Sequence, residues 1–290
     1  MPYDYSRQAL YHPESRPVFA EVDRMPRFEA DNFQFSLVNA WWLSNASHAA
    51  YYEAGRLEQE LGRAGWRLID FFAREGTQAF LAATEAFAIL AFRGTEIGEP
   101  ADLKVDADAR LAPLQDGVKV FRGILGALEK VWPDVEHRLQ EVAAQGLPIW
   151  YTGHSLGAAL ATIAAARRKP DALTVFAAPR VGNEAFVRLL DGLPVHRIVN
   201  CCDAVPTLPL RIMGYRHAGQ LAFITATGDL LLNPPPWRIL RSKVVGIGKY
   251  QATLPFFRRD RVKVRFLADH AIVNYTAALT EAMARTLEVA

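Results

Sequence analysis

Three side chains in the second half of the chain, Ser155, Asp203 and His270, have the types and the order needed to break an acyl bond by nucleophilic attack. Ser155 lies at the centre of Gly153-His154-Ser155-Leu156-Gly157. Before it runs a short apolar segment, Leu147 to Thr152, that reads as a buried strand, and after it Ala158 to Ala166 reads as an alanine-rich helix. In that setting a G-x-S-x-G pattern is a nucleophile elbow, a tight strand-to-helix turn that holds the serine in a strained backbone conformation. The flanking glycines remove Cβ atoms that would collide with the neighbouring strand and helix. The hydroxyl then stands above the sheet, and the Leu156 N–H points at whatever oxyanion forms there.

A serine hydroxyl is a poor nucleophile at neutral pH, so it needs a base, and the base needs an orienting acid. Only His217 and His270 follow the segment that could hold the acid. His270 sits in Phe266-Leu267-Ala268-Asp269-His270, on a loop expected at the start of the last helix, where a base can reach across the sheet top. His217 opens the strand-like run Gln220 to Thr225 and reads as structural. Asp203 follows the strand-like Val195 to Val199 and precedes Ala204-Val205-Pro206, a strand exit suited to the acid. Asp171, Asp191 and Asp229 have turn-like neighbours that explain them without chemistry. Thr95 leaves the apolar run Phe87 to Phe92 at the same sheet edge as Ser155. It is expected to offer a backbone N–H and a hydroxyl to the developing negative charge, a donor whose loss costs about 2.7–4 kcal/mol of transition-state stabilisation. The alternative for Thr95 is a turn cap.

These residues require a mostly parallel sheet, and the chain alternates accordingly. Pro2 to Asp31 is polar and proline-punctuated, an extended arm on the body. Phe35 to Leu61 reads as one or two helices, with Trp41 and Trp42 packing on the sheet. Trp66 to Phe72, Gln78 to Ala83 and Glu85 to Phe92 read as strands, the first two a hairpin around Gly76. Val118 to Ala144 reads as one long helix kinked at Pro133. Strands follow at Ala172 to Ala177, Val195 to Val199 and Gln220 to Thr225, with a short helix Glu184 to Leu190 capped by Asn183. Ala271 to Leu287 closes the chain as a helix. At 290 residues, 51% hydrophobic and 22% charged, the chain fits one globular α/β unit over 1–290.

Five ordered segments now resemble a known family, the class 3 (filamentous-fungal type) lipases of the α/β-hydrolase fold. They are Ala91-Phe92-Arg93-Gly94-Thr95, Tyr151 to Leu160, Ala178-Pro179-Arg180-Val181-Gly182-Asn183, Arg197 to Pro206, and Asp269-His270 to Tyr275. The resemblance covers about two thirds of the chain, roughly Ala86 to Ala278. It implies a central, mostly parallel sheet flanked by helices, and it matches Ser155, Asp203 and His270 to the triad and Thr95 and Leu156 to the oxyanion hole. It further implies a serine carboxylic-ester hydrolase acting on lipid esters, with phospholipase A1 or feruloyl-type esterase activity as alternatives. A non-catalytic lipase-like binding module is a reading from another class. Two departures stand out. The stretch from Glu96 to Asp106, where the family carries an apolar lid with a tryptophan, is charged and has no aromatic residue. Phe121 stands where the family commonly has histidine, which implies local repacking.

The two cysteines are adjacent, Cys201-Cys202, and a bridge between neighbours would be strained, so both read as packed free thiols. A redox role beside Asp203 is the alternative. No cluster has zinc-site spacing and no glycine-rich phosphate loop follows a strand, so neither metal nor cofactor is implied. No apolar run reaches the ~18 residues of a membrane span. The amino terminus lacks a charged start followed by an apolar core, which predicts a cytoplasmic protein or leaderless export.

The segment 234–265 departs from the rest. It holds nine basic residues and one acid, Asp260, a local balance of +8 against +2 for the whole chain, which leaves −6 elsewhere. Trp237, Ile239, Leu240, Val244, Val245, Ile247, Leu254, Phe256 and Phe257 are interleaved. Basic residues mixed with large apolar ones suit an anionic lipid surface, so this insertion before the last helix reads as a cap or docking element. The competing expectation is a solvated insertion whose apolar residues pack on the body. Nucleic acid is not an expected partner, since no fold signature for it accompanies the patch.

Overall fold

The computed structural model describes residues 3–94, 110–253 and 260–289. Ten helices and ten strands are present among them. The strands are β1 (Arg67–Arg74), β2 (Thr77–Ala83), β3 (Ala88–Phe92), β4 (Leu111–Gln115), β5 (Val118–Phe121), β6 (Ile149–His154), β7 (Ala172–Phe176), β8 (Val195–Asn200), β9 (Gln220–Ile224) and β10 (Leu230–Leu232). The helices are α1 (Arg7–Tyr11), α2 (Leu37–Ala49), α3 (Ala54–Arg63), α4 (Arg122–Glu129), α5 (Trp132–Ala143) and α6 (Leu156–Arg167). They continue with α7 (Glu184–Leu189), α8 (Pro236–Thr253), α9 (Arg265–Ala268) and α10 (Ile272–Val289).

Eight strands form one sheet in the order β1-β2-β3-β6-β7-β8-β9-β10, and β4 pairs with β5 apart from it. The neighbours from β3 through β6, β7 and β8 to β9 are parallel, while β1, β2 and β10 pair antiparallel at the two edges. Because side chains alternate along a strand, the sheet feeds two cores. Leu81, Leu90, Tyr151 and Leu173 face a core shared with α5 and α6. Phe80, Ile89, Trp150 and Ala172 face a second core filled by Trp41 and Trp42 of α2 and Leu279 of α10. All these residues are buried. Parallel strands buried on both faces carry continuous apolar runs, as β3 does with no exposed residue from Ala88 to Phe92.

The expected single helix over Val118 to Ala144 is three elements. Val118, Val120 and Phe121 are buried while Lys119 is exposed, and that alternation forms β5, which returns against β4 across a turn with Gly117 at φ 73°. Pro133 then stands in the first turn of α5 instead of kinking a longer helix. A proline lacks an N–H to donate, which the first turn does not need. The segment before α2 is less extended than its composition suggests. It contains α1 and two 3-10 turns, Pro13–Ser15 and Val22–Arg24, and it buries Phe19 against Trp42 and Trp66.

Candidate active site

The parallel strands end along one sheet edge, and two of these ends carry the candidate residues. Strand β6 runs directly into Ser155, which caps α6 with φ 57° and ψ −122°. A non-glycine residue at that φ is strained and persists only where its surroundings fix it. Here the Ser155 N–H donates to the Phe176 carbonyl at 3.0 Å, and its own carbonyl accepts from the Ala159 N–H at 3.3 Å. Gly153 and Gly157 make the turn possible. A Cβ on Gly153 would stand within 3.0 Å of the Gly157 backbone, and one on Gly157 within 3.0 Å of the Phe92 carbonyl.

Three polar groups form a line above this turn. Ser155 Oγ lies 2.9 Å from His270 Nε2, and His270 Nδ1 lies 3.1 and 3.0 Å from Asp203 Oδ1 and Oδ2. A carboxylate only accepts, so His270 Nδ1 carries the proton and Nε2 presents its lone pair to the Ser155 hydroxyl. Asp203 and His270 are buried, and Ser155 is 8% exposed. Asp203 Oδ1 also accepts from the Val205 N–H at 2.9 Å, and Oδ2 accepts from the Tyr275 hydroxyl at 2.6 Å. Burial first, then the neighbouring Asp203 charge, push the Tyr275 hydroxyl well above its ordinary pKa, so it stays a donor.

The His270 backbone is fixed from below by His154. His154 Nε2 donates to the His270 carbonyl at 2.8 Å, so His154 Nδ1 is the acceptor for the Tyr51 hydroxyl at 2.9 Å. The two imidazoles are 4.7 Å apart between centroids. Burial, and then the charge His270 can carry, hold the His154 pKa well below its usual value, so this ring is neutral. The acid and base loops are also tied to each other. Asp269 Oδ2 accepts from the Cys202 N–H at 3.0 Å, its carbonyl accepts from Asn200 Nδ2 at 3.1 Å, and Arg265 Nε bonds its carboxylate at 3.0 Å. Burial pushes the Asp269 carboxyl pKa up against the opposing pull of Arg265.

The structure thus brings together Ser155, Asp203 and His270. Leu156 opens α6, where the first N–H groups have no partner within the helix. Thr95 and the charged stretch from Glu96 to Asp106 lie outside the described residues. His217 stands apart from the three: its Nε2 bonds the Pro206 carbonyl at 2.8 Å, and burial drops its pKa to about 3. Phe121 is buried, with its ring centroid 6.0 Å from that of Tyr215. Cys201 and Cys202 are free thiols with sulfurs 3.3 Å apart. With Asp269 they are the one group among the described residues whose ligand-type atoms gather within 4.8 Å. Arg265 and the Cys202 N–H both engage Oδ2 of the Asp269 carboxylate, while its buried Oδ1 has no hydrogen-bond partner. A cavity of about 330 Å³ between the amino-terminal segment, α2 and α10 is lined by residues such as Arg16, Trp41 and His48, and by none of the three candidate residues.

Sequence reasoning passed over Tyr275, His154, Tyr51 and the Arg265–Asp269 pair. His154 and Tyr275 sit inside the motif segments, but their partners come from residues 103 and 72 positions away.

Comparison with known proteins converges on one group. The model of the family "Lipase (class 3)" matches residues 89–213. The chain is 29% identical over 257 residues to the secreted mono- and diacylglycerol lipase A of Penicillium cyclopium, covering 78% of this chain and 81% of that one. It is 33% identical over 172 residues to the secreted mono- and diacylglycerol lipase MDL3 of Malassezia globosa, covering 52% and 54%. Among solved structures, a mutant form of MDLA from Penicillium cyclopium aligns with a TM-score of 0.59 at 25% identity, over 80% of this chain and 96% of that one. These relatives overturn the expected cytoplasmic location: both lipases are secreted, which points to extracellular export. That expectation rests on the pattern of the amino-terminal residues alone and not on the folded body.

Proposed function

We propose that the chain, which has the α/β-hydrolase fold, is a class 3 lipase, a serine carboxylic-ester hydrolase acting on lipid esters through Ser155, His270 and Asp203. The observation that carries this is the 2.9 Å contact of Ser155 Oγ with an imidazole whose other nitrogen faces a buried carboxylate. His270 Nε2 takes the hydroxyl proton as Ser155 Oγ attacks the ester carbonyl carbon. Asp203 holds the ring in the required tautomer and stabilises the imidazolium. The Leu156 N–H and Thr95 are the assigned donors to the tetrahedral oxyanion. Collapse breaks the bond to the alcohol oxygen, which leaves with the proton from His270. Water then loses a proton to His270 and attacks the acyl-serine, and the free acid departs as Ser155 regains its hydrogen. The strained elbow supports this assignment, because it aims the hydroxyl before substrate arrives.

The segment 234–265 is assigned to contact with an anionic lipid interface, the phase in which such esters partition. Labelling with a fluorophosphonate ester tests the nucleophile. A single phosphonyl adduct on the peptide holding Ser155 is expected, and an unlabelled folded protein would count against the assignment.

A further inference from the structure

Helix α8 turns toward solvent the kind of face that helices ordinarily bury. Its inner row is Ser242, Gly246 and Tyr250, four residues apart, and each is tied to the body. Ser242 Oγ accepts from the Ala226 N–H at 2.8 Å, the Gly246 carbonyl accepts from Arg265 Nη1 at 2.6 Å, and the Tyr250 hydroxyl donates to the Val262 carbonyl at 2.5 Å. A Cβ on Gly246 would lie 3.0 Å from both Cys201 Sγ and Cys202 Sγ, so glycine there lets the helix sit close against the loop that leads into Asp203.

With that row fixed inward, the opposite side follows from helix geometry. Trp237, Leu240, Val244 and Ile247 fall within a sector of about 80°. They are 59%, 65%, 63% and 47% exposed. The same helix carries Arg238, Arg241, Lys243 and Lys249 and no Asp or Glu. A solvent-facing apolar stripe of this length on a body of net negative charge has no partner within the described chain.

We infer that this outer face of α8 is the docking surface, and that its occupant is an anionic lipid interface; the inference rests on the proposed assignment of 234–265 to such an interface and narrows it to one helix face. The apolar stripe is suited to the boundary between headgroups and acyl chains, with Arg241 and Lys243, which flank it on either side, meeting anionic headgroups. Charge argues against a second copy of the chain. Two α8 faces in contact would bring the cations of both helices together with no carboxylate on either to pair them. No helix among the described residues is long and apolar enough to cross a membrane, so α8 lies on the surface. Its contact with Cys201 and Cys202 seats the acid loop beside the interface.

The test is co-sedimentation of the full chain with vesicles of phosphatidylcholine alone and with added phosphatidylserine, with hydrolysis of dispersed p-nitrophenyl butyrate measured in parallel. The wild type should prefer the phosphatidylserine vesicles. The double variant Arg241→Gln/Lys243→Gln should bind them about 25-fold more weakly, about fivefold per cation, and the wild-type preference should fade in high salt. Leu240→Glu/Val244→Glu should lose vesicle binding while keeping butyrate hydrolysis. A wild type with no preference for anionic vesicles would overturn both the interface assignment and the docking face. Unchanged binding by both variants would overturn the docking face alone. A dimer in solution that the glutamate variant dissolves would overturn it too, in favour of a second copy.

Discussion

Acid should destabilise this fold steeply below pH 6.5, because several of its histidines are buried as neutral rings. His48 is buried, donates to the Pro13 carbonyl, and has its pKa lowered to about 4, chiefly by burial. His217 is lowered to about 3 for the same first reason, helped by Arg197. In the unfolded chain both would titrate near 6.5. Between pH 6.5 and their folded values the unfolded chain therefore binds more protons, and stability falls as pH falls. At pH 7.5 neither state holds these protons, so the pair has no effect there. At pH 5 each ring costs about 2 kcal/mol, and the two together about 4 kcal/mol. His154, held well below its usual pKa beneath the His270 ring, acts in the same direction. Asp269, pushed up by its burial, acts in the opposite one and trims the loss. Against a total stability of about 5–15 kcal/mol, this is a large fraction. Urea unfolding followed by fluorescence should show the midpoint dropping by about 1–2 M between pH 7.5 and pH 5. His217→Gln keeps an amide donor for the Pro206 carbonyl and cannot titrate, so its drop should be smaller by about 2 kcal/mol. A midpoint that stays constant from pH 7.5 to 5 would refute the assignment of neutral buried imidazoles.

Two substitutions separate the roles of the groups around Asp203. Asp203→Asn should lower kcat by about 10⁴-fold, since an amide no longer holds His270 in the required tautomer; a kcat within tenfold of wild type would remove Asp203 from the mechanism. Tyr275→Phe deletes the donor 2.6 Å from Asp203 Oδ2, yet leaves His270 Nδ1 and the Val205 N–H in place. Its effect should appear in stability, a loss of about 1.5–3 kcal/mol in urea unfolding. A Tyr275→Phe protein as stable as wild type would show that this hydrogen bond is not formed in solution.

What could be read from the sequence was local. The elbow announced itself because a strand, two glycines, a serine and an alanine-rich helix are contiguous, and the backbone at Ser155 has the strained φ that this order demands. Strand β3 was legible as an unbroken apolar run, and β7 as one interrupted only by Thr174. The stretch Val118 to Ala144 misled because its hydrophobic spacing suits a helix throughout, while the turn at Gly117 and the break before Pro133 carry less periodic signal. Contacts between distant residues left no local trace: Tyr51 against His154, and Arg265 against Gly246. The sequence could not choose between packed and exposed apolar residues in 234–265 either. That choice depends on Ser242, Gly246 and Tyr250 being the row that faces the body.

The most direct test of the central claim is hydrolysis of p-nitrophenyl esters, from acetyl to palmitoyl, by the wild type and by Ser155→Ala. Wild-type turnover that falls by roughly 10⁶ in the variant, or to background, is the predicted result, and the chain-length profile then ranks the acyl groups the site accepts. A Ser155→Ala protein that retains activity within tenfold of wild type would contradict the account, because the ester would then be cleaved without the elbow serine.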